Sequence, residues 1–157
     1  MQRDADAADV RFPPPLTYVL AAAMGALLHH FVHPLDLALP MPARIAAAAL
    51  TGIVGVMLLA VAVRAFVRTG QDPKPWKTTP EFVATGVYRL TRNPMYTGMA
   101  LVQASLAFAI ANGWILALVP PVLLVVYATA IRHEETYLEQ KFGDSYRAYK
   151  TAVRRWL

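Results

Sequence analysis

The chain has 157 residues, of which 57% are hydrophobic and only 16% charged; the length suits one domain, and the composition is too apolar for an ordinary soluble one. The net charge of +5 is not read as nucleic-acid binding, because the basic residues sit beside apolar blocks and have no separate basic domain. Cysteine is absent, which removes disulfides, thiolate metal sites and cysteine nucleophiles.

Residues 1–15 are acidic and then proline-rich (Asp4, Asp6, Asp9, Pro13, Pro14, Pro15), which predicts a loose tail and argues against a cleaved signal peptide. A first apolar block runs from Leu16 to about Phe31, at about 1.5 Å per residue just enough to span a bilayer core. His29, His30 and His33 lie at its end. They resemble a metal cluster but lack further ligands, so no metal site is expected. After the connection Asp36 to Pro42, a second block covers Ala43 to about Val67. Both blocks are rich in Ala and Gly, which predicts a tight hairpin between them.

Residues 68–93 hold Gly70, Pro73, Pro75, Trp76 and Pro80 together with five basic residues; a loop this long tends to be functional. Trp76 and Tyr88 read as interfacial anchors. A third apolar block starts at Pro94 and ends near Ala111. Asn112-Gly113 is a turn signal, and a fourth block runs from Trp114 to Ile131 with a kink expected at Pro120-Pro121. From Arg132 the pattern becomes amphipathic and surface-lying, with a break at Gly143 and a cap at Asp144. The expected fold is therefore all-α: an integral membrane bundle of about four transmembrane helices plus a C-terminal amphipathic helix. Basic residues concentrate in the loop (Arg68, Lys74, Lys77, Arg89, Arg92) and the tail, with none in the first connection before Arg44. This bias predicts cytoplasmic N- and C-termini in an inner (cytoplasmic) membrane.

The segment Arg92-Asn93-Pro94-Met95-Tyr96-Thr97-Gly98 carries the chemistry, together with Glu134-Glu135 beside His133. Asn93-Pro94 reads as a helix cap followed by a first-turn proline, and the free backbone donors of such a start favour an anion. Arg92 adds a full charge and a fork that suits a carboxylate. Two neighbouring acids form a site for a cation, whether ammonium, sulfonium or a basic side chain. Adjacent helical residues point about 100° apart, so the two acids cannot act alike. Traced seven residues on from Tyr127, Glu134 falls on the interior side. On that reading Glu135 is the direct cofactor contact, and Glu134 holds Arg92 or the loop.

These elements, followed by Phe142-Gly143-Asp144-Ser145-Tyr146-Arg147-Ala148-Tyr149, resemble the isoprenylcysteine carboxyl methyltransferase and phospholipid methyltransferase superfamily over roughly residues 70–155. The resemblance implies a single domain, 1–157. Its variable N-terminal hairpin covers 1–67 and its cofactor-binding core 68–157. It implies S-adenosylmethionine as cofactor, with Asn93, Tyr96, Gly98, His133, Glu134 and Glu135 around it. Arg92, Glu134 and Glu135 would be the catalytic residues. Asn93 stands where many members have a titrating His, and Met99-Ala100 follows Gly98 instead of the Gly-x-Gly of some phospholipid enzymes. The expected reaction is methyl transfer to a small lipophilic or prenylated acceptor (carboxylate, thiol or amine) held in the bilayer. The alternatives are an NADPH-dependent reductase of the sterol-reductase type and a non-enzymatic protein that keeps the fold.

Overall fold

Proline opens the principal helices. It has no N–H to lose at a first turn, and its fixed φ is already helical. In the computed structural model, which describes residues 4, 6–10, 12–72 and 74–156, α1 (Pro14–Phe31), α2 (Met41–Arg68), α3 (Pro94–Ala109) and α5 (Val119–Val126) all carry proline at the first or second position. The expected kink at Pro120-Pro121 is a break just before it, at Leu118, between the short α4 (Gly113–Ala117) and α5. A π-helical turn, Tyr127–Ile131, follows α5 and leads into α6 (Arg132–Phe142). Gly143, at φ 55°, separates α6 from α7 (Asp144–Ala152). Asp144 is therefore the first residue of α7 and not its cap, and it pairs with Arg147.

The described residues form helices and loops, with one isolated bridge between Asp36 and Asn112. Two helical stretches, Met41–Arg68 and the run Gly113–Phe142 with its break at Leu118, are long and apolar enough to cross a membrane. The other two blocks form helices of 18 and 16 residues. Large apolar side chains face outward along α1, α2 and α5, among them Leu20, Leu27, Leu50, Ile53, Met57 and Leu124. A belt of this extent is costly in water and at home in lipid.

The helix partners differ from the expected hairpin. α2 packs along α3, while α1 lies against α4 and α5. Small residues do mediate the close approaches, but across other pairs. A Cβ on Gly98 would sit 2.9 Å from the Gly55 carbonyl oxygen, and one on Gly25 would meet Ile115 at 2.7 Å. Ser105 Oγ donates to the Ala48 carbonyl (2.8 Å), adding a polar tie between α2 and α3.

The expected loose tail is also corrected. Asp4 accepts from the Thr78 amide and the Lys77 ammonium (each 3.0 Å), Asp6 pairs with Lys141, and Ala8 and Val10 are buried. Acidic side chains that looked solvated meet lysines from the long loop and from α6. Residues 1–3, 5 and 11 of that tail, and Pro73 of the loop, lie outside the described residues.

Candidate active site

The tail, the long loop, the start of α3, α6 and α7 meet at one end of the bundle. They enclose a cavity of ≈ 780 Å³, counting its open mouth. Its walls bring together Arg92, Asn93, Tyr96 and Glu134 from the predicted set. Phe66 enters from α2 and Ala8 from the tail.

Thr91 to Asn93 reach this position because the end of the chain clamps them. The Arg92 amide donates to the Arg154 carbonyl (2.9 Å); Thr91 Oγ1 and Asn93 Nδ2 both donate to the Arg155 carbonyl (2.9 and 3.2 Å). Asn93 thus does not cap α3 with its side chain as expected. That side chain is spent on holding the C-terminal segment, and Thr97 Oγ1 donates to the Asn93 carbonyl instead. α3 therefore presents first-turn amides not taken by a side-chain cap at its N-cap residue, beside the pocket.

Of the two glutamates it is Glu135, and not Glu134 as expected, that meets Arg92. Glu135 is buried; its carboxylate receives Arg155 through Nε and Nη2 (3.0 and 2.9 Å) and lies 3.3 Å from Arg92 Nη1. Glu134 is half-buried, faces the pocket and accepts a short hydrogen bond from the Tyr96 hydroxyl. Tyr96 is fixed from behind, since the Tyr18 hydroxyl of α1 donates to its carbonyl (2.9 Å). The cause of the reversal is the π turn. It places more residues in a turn than an α-helix does, so the face followed from Tyr127 slips by about one residue. The guanidinium of Arg155 fits this slip: it lies over the Tyr127 ring (4.7 Å) and grips Glu135, eight residues on.

Arg92 is the least satisfied group at the site. Its side chain is only 9% exposed, and its Nε and Nη1 make no hydrogen bond. Buried donors of this kind are expensive unless something completes them. Part of the lining is aromatic. Phe82 packs on Phe142, Tyr146 and Tyr149 with ring centroids 5.3, 5.5 and 5.6 Å apart, and Tyr149 donates to the Tyr88 carbonyl (2.7 Å). Burial pushes the Tyr88 and Tyr146 hydroxyls well above their ordinary value and Tyr149 up to about 12, so these phenols stay protonated at neutral pH.

Three predicted residues do not line the pocket: Glu135, held by Arg92 and Arg155, and two that lie elsewhere. Gly98 faces α2, against Gly55 and Leu59. His133 lines a separate shallow recess with Ala7, Asp9 and Thr136. Phe82, Tyr137, Lys74 and Asp72 line the main pocket without having been singled out. All but Tyr137 come from the long loop, whose length was the one signal pointing to them. Among the described residues no group of three or more His, Asp or Glu side chains could hold a metal.

These features define a helical protein with an apolar belt and, at one end, a pocket with an unsatisfied arginine, a glutamate and an aromatic wall. Its sequence matches the phospholipid methyltransferase family over residues 43–145, and the chain belongs to that family. Membership suggests membrane methyltransferase activity. An uncharacterized protein of Haemophilus influenzae is 63% identical over 35 residues, a stretch covering 22% of this chain and 56% of that relative. The chain thus spans little more than half the length of the curated relative it matches.

Proposed function

We propose that the protein is an S-adenosylmethionine-dependent methyltransferase acting on a small lipophilic acceptor drawn from the bilayer. One observation carries this reading: the buried Nε and Nη1 donors of Arg92, which make no hydrogen bond, share a pocket with the carboxylate of Glu134. That is the charge pattern an amino acid with a second cation requires. The residues present fit the group. Arg92 and the start of α3 would hold its carboxylate. Glu134, oriented by Tyr96, would face its ammonium or sulfonium. Phe82 and Tyr149 offer ring faces to an adenine. When bound, S-adenosylmethionine supplies an electrophilic methyl group.

The chain's own contribution is orientation, which can supply much of the barrier reduction for a displacement of this kind. Tyr96 keeps Glu134 aimed into the cavity, and the docked tail and loop limit the access of water. Asn93 cannot move a proton, so Glu134 is a carboxylate in the pocket lining available as a base, and carboxylate, thiol and amine acceptors all fit the reading. The drawing of Ala8, Phe66 and Tyr149 into one pocket supports reading 1–157 as a single domain. The shared apolar belt supports four crossings, with α1 and α3 beside the two longer spans, and the basic loop and tail support a cytoplasmic pocket.

Calorimetry with S-adenosylhomocysteine on detergent-solubilised protein tests the reading, with micromolar binding expected. No binding at millimolar ligand to folded protein would sink it, and binding of NADPH in its place would move the protein to the reductases.

A further inference from the structure

Glu135 is shared by two arginines, and the sharing is unequal. Arg155 takes both carboxylate oxygens (3.0 and 2.9 Å), whereas Arg92 reaches one of them at 3.3 Å without a hydrogen bond from that nitrogen. A single arginine beside a carboxylate ordinarily closes on it as a two-pronged pair. Here that geometry belongs to Arg155, and the three side chains together keep one excess positive charge at the pocket. The Tyr127 ring supports the Arg155 guanidinium from below (4.7 Å). Residues beyond 145, Arg155 included, lie outside the span matched to the family.

We propose that Arg155 is a positioning residue. By occupying Glu135 it stops that carboxylate from closing on Arg92 as a two-pronged pair, and so leaves the Nε and Nη1 donors of Arg92 without a hydrogen bond and available to the carboxylate of an amino-acid ligand. The inference rests on the function proposed above and adds a residue to it. Its main-chain role is separate: the Arg155 carbonyl anchors Thr91 and Asn93 whatever its side chain is.

The test compares two probes by calorimetry in detergent. S-adenosylhomocysteine carries the amino-acid carboxylate, and 5′-methylthioadenosine lacks it. Arg155→Gln is expected to raise the Kd for S-adenosylhomocysteine tenfold or more and to leave 5′-methylthioadenosine within twofold. Arg155→Lys keeps the charge without the fork and should fall between. If Arg155→Gln does not fold, Arg155→Lys alone carries the comparison. Glu135→Gln combined with Arg155→Gln should recover most of the loss, because no carboxylate then competes for Arg92. Unchanged S-adenosylhomocysteine affinity in folded Arg155→Gln and Arg155→Lys protein overturns the proposal while leaving the proposed function standing. An equal loss for both probes also overturns it, since that is the signature of a packing role. Failure of the unaltered protein to bind S-adenosylhomocysteine overturns both.

Discussion

The two ends of the helical bundle handle polar groups in opposite ways. At the end formed by residues 32–40 and 110–113, polar atoms close on backbone. Asn112 accepts from the Ile115 amide and donates to the Gly25 carbonyl, Gly113 donates to the Leu35 carbonyl, and the Trp114 indole donates to His33. At the other end Arg92 keeps buried donors unspent and Glu134 faces a cavity. The first end uses most of its polar groups to seal the bundle, with Arg44 Nε in the first turn of α2 as an exception. The second holds some back, which is how a binding site differs from a cap.

Substitutions at the two ends should therefore separate affinity from stability. Arg92→Gln carries the largest expected effect on binding. Hydrogen bonds to charged groups are worth about 1.5–3 kcal/mol, so S-adenosylhomocysteine affinity should fall roughly ten- to hundredfold with little change in melting temperature. Equal melting and binding losses would make Arg92 a structural residue. Glu134→Gln should cost about tenfold by the same measure, toward the lower bound of that range. Retention of full affinity would remove Glu134 from the site.

Gly98→Ala tests the seam between α2 and α3. Overpacking of this kind typically costs about 1–3 kcal/mol, seen as a lower thermal midpoint, while affinity in the folded fraction holds. A selective loss of affinity would return Gly98 to the pocket. Asn112→Ala removes a helix cap and should cost about 1 kcal/mol of stability with binding within twofold. An affinity change there would mean that the ends are coupled.

The smallest effect is expected at Asp4. The Thr78 amide and the Lys77 ammonium hold its carboxyl below the ordinary 3.8, so tail docking is in force above that value and is lost as pH falls below it. Asp4→Asn should reproduce the loss at neutral pH as faster proteolysis of the tail. Unchanged proteolysis would show that Asp6, Ala8 and Val10 dock the tail without Asp4.

Helix starts were legible because proline and Asn-Gly punctuate the chain in ways that have local causes. Partners were not. A run such as Ala46 to Ala49 with Gly52 and Gly55 says that another backbone can come close, but it does not say which one. The choice of α3 over α1 rests on Gly98, whose missing side chain leaves room for a ligand or another helix alike, and on Ser105, which carries no mark in the linear pattern. At the site, the membership of Arg92, Asn93, Tyr96 and Glu134 could be read from the motif, but the roles of the two acids could not. Those roles turn on the extra residue in the π turn at Tyr127–Ile131, whose sequence differs little from an ordinary helical one. The tail was misread for a related reason: the lysines that pair with Asp4 and Asp6 lie far along the chain.

The glycine seam between α2 and α3 has a mechanical consequence. Backbone meets backbone at Gly55 and Gly98, with no side chains between them to give way. The pocket wall that rests on this pair, Phe66 from α2 and Tyr96 from α3, is correspondingly stiff. The compliant wall is the opposite one, where the tail is hung on lysine–aspartate pairs at its rim. Added salt screens surface ion pairs of this kind, so the tail side of the pocket should loosen as salt concentration rises while the floor keeps its shape.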